Sequence, residues 1–154
     1  MHELLHQTLN DTNTTVIPTN RYELIPQNEL IQLHVDIGML LISKGAHAPR
    51  DVVDECFAYA VSHINMALPT CASNDDDDDA FIEFSISQRY TFAKLNRKAG
   101  EKGLTKLDYS LAETHFKAGL RFLPENSWTD SYELTLQLFD EYTSVSTSNP
   151  YVDV

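Results

Sequence analysis

The sequence predicts an all-α protein built from antiparallel helical hairpins. Apolar residues recur at helical spacing in every long block of the chain, and no block sustains the two-residue alternation of a strand. Proline or glycine stands where the apolar runs begin or end, as is typical of helix boundaries. With 154 residues, 42% of them hydrophobic, the chain is long enough to form one packed domain.

The first half of the chain is predicted to contain a helical pair over residues 21–68. Residues 1–20 are rich in Asn and Thr and are predicted to form a flexible N-terminal segment. After Pro26 an apolar face forms, which we expect to bury the first helix over much of its circumference until Gly45. This face contains Leu30, Ile31, Leu33, Val35, Ile37, Met39, Leu40, Leu41 and Ile42. Pro49 opens the second helix, in which Val53, Phe57, Ala60, Ile64 and Leu68 repeat at helical spacing.

Residues 69–80 interrupt the helical pattern with five consecutive aspartates at 75–79. Adjacent like charges repel one another and cannot pack, so this segment is predicted to be a disordered acidic insertion. It lacks the alternating ligands, central glycine and distal glutamate of a helix–loop–helix calcium site.

Residues 81–143 are predicted to form a helical hairpin followed by half of a second one, with a break near 103–105. The segment fits the 34-residue tetratricopeptide template phased from Ala93. Its small, aromatic and proline positions fall on Gly100, Ala112, Phe116, Gly119 and Pro124, and Leu123 continues the apolar face. The fit is poor where Asn96 and Gly103 replace the usual aromatic residues.

The stretch "LPENSWTDSYELTLQLF" places the only tryptophan, Trp128, directly after the break at Pro124. The repeat hypothesis predicts that Trp128 is a buried wedge between adjacent hairpins, lying against Phe116, Leu120 or Leu123. The alternative is an ordinary core tryptophan of a helical bundle. The same helix continues through Tyr132, Leu136 and Phe139.

One face of that helix is predicted to lack a covering helix and to favour self-association or capture of a protein partner. This exposed face is expected to carry some of Leu134, Leu138 and Tyr142. Residues 144–154 are rich in Ser, Thr and Asn and are predicted to form a polar tail.

Composition narrows the classes of partner. The formal net charge is −12, which would repel phosphate backbones and anionic lipid, so neither nucleic acid nor a membrane surface is expected. No signal peptide or membrane-spanning run is evident in the sequence. Cys56 and Cys71 are interpreted as reduced thiols rather than as a disulfide, which predicts a cytoplasmic protein.

No catalytic motif is found, and no cofactor or metal is predicted. The glycine spacing does not form a phosphate-binding loop, and protein-kinase motifs are absent from the sequence. His2 and His6 are spaced to share one helix face but are interpreted as surface residues, and His34 and His63 as core or boundary residues. The alternative hypothesis is a small helical-bundle enzyme that uses Cys56, His63 or the acidic run with a metal.

Two blocks carry a resemblance to a known family. "RYELIPQNELIQLHVDIGMLLIS" and "FAKLNRKAGEKGLTKLDYSLAETHFKAGLRFLPENSWTDSYELTLQLFDE" resemble a helical region of large multidomain signalling proteins. Those proteins join a serine/threonine kinase, a predicted AAA-type ATPase module, a GAF domain and a sensor histidine kinase, and the helical region follows the ATPase module. The resemblance covers about residues 21–142 and is most specific in Leu-Pro-x-x-x-Trp and Tyr-Glu-Leu-Thr-Leu.

The resemblance implies a non-catalytic interaction or scaffold segment of an ATPase- and histidine-kinase-like signalling protein. The ATPase and kinase activities of the family cannot be assigned to any residue here. The chain departs from the family pattern after residue 142, where the alanine-rich continuation and a further repeat are replaced by "YTSVSTSNPYVDV". We therefore expect a fragment or remnant of a larger architecture.

Overall fold

A computed structural model describes residues 25–45, 50–68 and 84–148. Within these ranges the prediction of an all-α fold is confirmed, because every regular element is a helix. The helices are α1 (Gln27–Gly45), α2 (Arg50–Asn65), α3 (Ile86–Thr105), α4 (Tyr109–Phe122), α5 (Ser127–Asp130) and α6 (Tyr132–Ser148). The predictions for residues 1–20, for the acidic insertion at 69–80, for His2, His6 and Cys71, and for residues 149–154 lie outside the described residues.

Helices α1 and α2 run antiparallel and meet at a glycine. A methyl group added to Gly38 would lie 2.6 Å from the Ala60 carbonyl oxygen and 2.7 Å from the Ile64 side chain, so only glycine permits this close approach. Further along the pair, Nδ1 of His34 lies 2.9 Å from Nδ1 of His63, and one ring can donate to the other.

The prediction that α1 is buried over much of its circumference is wrong. Only Val35 and Gly38 of α1 are buried, while Leu33, Met39 and Leu40 are exposed. The reason is that α2 is the main packing partner of α1 among the described helices, and one partner covers only one face.

Helices α3 and α4 form the most extensive contact among the described helices. Ser85 caps α3 through reciprocal hydrogen bonds with Gln88, and the Asp108 carboxylate accepts from the Leu111 N–H at the start of α4. Residues 106–108 connect the two helices, so α3 continues through the predicted break at 103–105 and ends at Thr105. The chain turns at Leu107, which takes the left-handed conformation with φ 58°.

Three of the small and aromatic residues predicted from the template, Gly100, Ala112 and Phe116, lie along the α3–α4 contact. A methyl group on Gly100 would lie 2.4 Å from the ring of Phe116, which is fully buried. Gly103 faces Ala112 one turn away, and Ala112 has no exposed surface. The predicted break at Gly103 is therefore replaced by a close helix–helix contact, because this glycine makes room for a neighbouring backbone rather than ending the helix.

The C-terminal end of α4 is closed by an arginine from α3. Nε of Arg89 donates to the Phe122 carbonyl at 3.0 Å, and Nη2 donates to the Leu123 carbonyl at 2.8 Å. Leu123 is extended and partly buried, and the buried Pro124 then redirects the chain. These bonds satisfy carbonyl groups that have no partner within the helix.

Helix α6 packs mainly against α4 and continues five residues into the predicted polar tail, to Ser148. Val145 is buried in the main core, which gives this last turn a packing partner. The hydroxyl groups of Thr143, Thr147 and Ser148 donate to carbonyls four residues earlier. Such local bonds allow Ser and Thr to remain helical, so the boundary predicted at residue 144 is wrong.

The two hairpins share one core. Val35 and Ile64 lie in the same apolar cluster as Phe92, Phe116 and Leu138. At a second contact, the ammonium groups of Lys98 and Lys102 lie 5.2 and 5.1 Å from the centre of the Phe57 ring. None of the described helices combines the length and the hydropathy that a bilayer crossing requires.

Candidate protein-interaction surface

The segment from Ser127 to Phe139 is built by a short helical turn that leads into α6. The chain breaks helical geometry at Ser131, and α6 begins at Tyr132. The buried hydroxyl of Thr135 joins the two pieces, because its single proton is within donating distance of two carbonyls, that of Ser127 at 3.1 Å and that of Ser131 at 2.9 Å. A single fully buried threonine therefore fixes where the α5 turn sits on α6.

Four large apolar side chains on this segment remain open to solvent. We call Trp128, Tyr132, Leu136 and Phe139 the aromatic surface; their exposed fractions are 47%, 57%, 42% and 43%. The indole of Trp128 stacks on Phe139 with ring centres 5.3 Å apart and tilts against Tyr132 at 5.9 Å. Trp128 therefore contacts both of the other rings, and Leu136 lies between Tyr132 and Phe139 along the same helix face.

The prediction that Trp128 is a buried wedge is wrong. Its indole contacts rings of its own segment and keeps about half of its surface exposed, whereas Phe116 is fully buried between α3 and α4. The physical reason is the break at Ser131. It places the α5 turn over the outer face of α6 instead of directing Trp128 toward α4.

The apolar faces of α6 are also reversed relative to the prediction. The exposed face is predicted to carry some of Leu134, Leu138 and Tyr142, but both leucines are buried against the core and Tyr142 is partly buried. The contact with α4 selects this face, because Leu138 Cδ2 occupies the space beside Gly119, where a methyl group would lie 2.9 Å from it. At 100° per residue, Tyr132, Leu136 and Phe139 then point away from α4.

The charge along this segment is of one sign. Helices α5 and α6 contain Asp130, Glu133, Asp140 and Glu141 and no lysine or arginine. Glu141 is directed to α3, where its Oε1 accepts from Nε and Nη2 of Arg97 at 3.0 and 2.6 Å. Burial raises the pKa of the Glu141 carboxyl, and the hydrogen bonds from Arg97 oppose that effect. The other three carboxylates are exposed.

Of the residues considered for catalysis, Cys56 and His63 lie in the part of the chain that the structure describes, and the acidic run lies outside it. Across the described ranges, no group of three or more His, Cys, Asp or Glu side chains is placed to hold a metal ion. Cys56 is partly buried on α2. A cavity of about 20 Å³ lies against α2, α3 and α4 and is lined by Asp54, Phe57, Ala58, Ala99, Lys102, Gly103, Lys106, Leu111 and His115. Such a volume holds about one water molecule.

A buried polar network is the feature that sequence reasoning missed. The side chains of Asn65 and Asn96 exchange two hydrogen bonds of 2.8 Å each, and Asn96 also donates to the Phe92 carbonyl. Nδ1 of His115 lies 3.3 Å from the Asn96 Oδ1 atom, and burial lowers the pKa of His115. The only sequence signal was the mismatch of Asn96 to an aromatic position of the template.

No protein-family model, curated protein or solved structure matches this chain. The family resemblance therefore stays a prediction. Among the described residues, the aromatic surface is the strongest candidate for an interaction site, because contiguous exposed apolar side chains commonly mark such sites.

Proposed function

We propose that the chain is a non-catalytic, tetratricopeptide-like scaffold segment that binds a protein partner through the aromatic surface. The observation that carries the proposal is the contiguous exposure of Trp128, Tyr132, Leu136 and Phe139 on a helix whose opposite face is packed in the core. Tryptophan and tyrosine are the residues most enriched in the energetically dominant contacts of protein interfaces.

The packing of the helices supports a repeat-like role. Successive long helices contact one another in chain order: α1 with α2, α2 with α3, α3 with α4, and α4 with α6. Small residues at Gly100, Ala112 and Gly119 permit the close crossings that helical hairpins need. In a helical repeat array the outer face of the last helix is where the next element docks. The aromatic surface occupies the outer face of α6.

The resemblance described above supports a place in signal transduction. A helical segment between an ATPase module and sensory domains would transmit a signal or hold the domains together rather than catalyse a reaction. We propose this role in a cytoplasmic signalling protein, with α6 presenting the site to a partner protein.

The proposal is tested by comparing two leucine variants in cells that express the full chain. Leu136→Asp alters the aromatic surface at a leucine that is 42% exposed, and Leu40→Asp alters a leucine on α1 that is 57% exposed. Both variants should keep the circular dichroism spectrum of the parent. Proximity labelling should then show a defined set of neighbours that is lost with Leu136→Asp and kept with Leu40→Asp.

Loss of the same neighbours in both variants, or in neither, would contradict the assignment of the aromatic surface. A chemical turnover that follows the purified chain and disappears in Cys56→Ser would instead support the enzyme alternative.

A further inference from the structure

The chemistry of the aromatic surface restricts what can cover it. A partner must supply apolar side chains, because four large apolar groups would otherwise remain in water after binding. It must also tolerate or neutralise the acidic side chains that accompany them. Glu133 and Asp140 lie on the turns of α6 between and beside the exposed apolar residues, and Asp130 ends α5 next to Tyr132.

A second copy of the chain is disfavoured as the occupant. Two α5–α6 segments brought face to face would oppose acidic side chains with acidic side chains, and neither segment has a lysine or arginine to offset them. The chains would also approach with a formal net charge of −12 each. Like charges placed opposite one another at an interface cost free energy and slow association.

The shape of the surface favours a helix. The exposed residues of α6 run along one face over eight positions, from Tyr132 to Phe139, and the indole of Trp128 lies against this row by stacking on Phe139. At a rise of about 1.5 Å per residue the row is roughly 10 Å long, or about two helical turns. A ridge of this length matches a partner helix whose apolar residues recur every three or four positions.

We propose that the aromatic surface binds a cationic amphipathic helix of a partner protein. Its apolar stripe would cover Trp128, Tyr132, Leu136 and Phe139, and lysine or arginine side chains beside the stripe would face Glu133 and Asp140. This inference rests on the proposed function and specifies the class of partner. Charge complementarity sets the preference for this partner, and apolar burial supplies the affinity.

The test uses three synthetic peptides without tryptophan, so that Trp128 is the only indole in the sample. The first peptide is a cationic amphipathic helix, and the second has the same apolar residues with glutamate in place of lysine. The third has the amino-acid composition of the first peptide in scrambled order. Titration of the full chain is followed by Trp128 emission. We expect a blue shift with the cationic helix and at least about tenfold weaker binding of the other two at near 0.15 M salt.

Charge reversal on the chain provides the matched control. The double variant Glu133→Lys, Asp140→Lys should bind the anionic helix better than the cationic one, and Leu136→Asp should weaken both. Raising the salt concentration to about 0.5 M should reduce the difference between the affinities of the chain for the cationic and the anionic amphipathic peptide.

The other possible outcomes contradict the charge selection, the class of partner or the proposed function separately. Equal binding of the cationic and anionic helices would overturn the charge selection and leave the interaction surface intact. A concentration-dependent dimer in sedimentation that Leu136→Asp abolishes would assign the surface to a second copy. No binding of any peptide by a monomeric chain would overturn the inference, and unchanged neighbours in the labelling experiment would overturn the proposed function separately.

Discussion

Replacement of Trp128 by alanine discriminates between a buried wedge and a surface residue. Aromatic side chains bury roughly 150–250 Å² when fully covered. With 47% of Trp128 exposed, about half of that area, on the order of 100 Å², is removed from water. At about 25 cal/mol per Å² this gives an upper bound of roughly 2.5 kcal/mol, because the unfolded chain also buries some apolar surface. We expect a loss of unfolding free energy of about 1–2 kcal/mol.

The matched control is Phe116→Ala, which empties a fully buried site in the same molecule. That variant should lose about 3–5 kcal/mol, the range found for large-to-small aromatic changes in cores. Urea denaturation followed by circular dichroism measures both variants, since Trp128→Ala removes the fluorophore. The parent should also show a Trp emission maximum close to that of a solvated indole. Equal losses in the two variants, together with a strongly blue-shifted parent emission, would refute the surface placement of Trp128.

Three further variants test other parts of the fold. Asn96→Ala should lower the unfolding free energy by about 2–3 kcal/mol, because it removes a hydrogen-bond partner from the partly buried Asn65 amide and from the buried His115 ring; an unchanged urea midpoint would contradict this. Leu107→Gly should raise the unfolding free energy by about 1 kcal/mol, because this exposed leucine has φ 58°, a conformation that glycine adopts at lower cost. A lower thermal midpoint in the variant would show that contacts of the leucine side chain contribute more to stability than the backbone strain costs. Burial lowers the pKa of His115 from its ordinary value of 6.5, so the unfolded chain is protonated at this histidine at a higher pH than the folded chain. The free energy of unfolding therefore falls as the pH drops below 6.5. The stability lost between about pH 7.5 and 5.5 should therefore be smaller in His115→Phe than in the parent, and identical pH profiles would exclude this role.

The sequence by itself determined the helical class and the position of the long helices. Apolar spacing located α2, α3 and α4, and Pro26, Gly45 and Pro124 marked ends of helices to within a few residues. These signals are local: they depend on side chains that share one helix face and on residues that terminate hydrogen bonding within the chain. Small residues such as Gly100 and Ala112 also indicated where helices approach closely.

The tertiary structure decided which apolar face is covered. Both faces of α6 carry large apolar residues, so periodicity alone could not distinguish Leu138, which is fully buried, from Leu136, which is 42% exposed. The choice depends on the gap at Gly119, which another helix provides, and on the turn at Ser131, which sets how α5 packs on α6. The pairing of Asn96 with Asn65 is likewise a contact between helices. The sequence around a polar residue at a core position does not reveal which residue it pairs with. The aromatic surface therefore emerges only from packing, because exposure is a property of neighbours rather than of the residue itself.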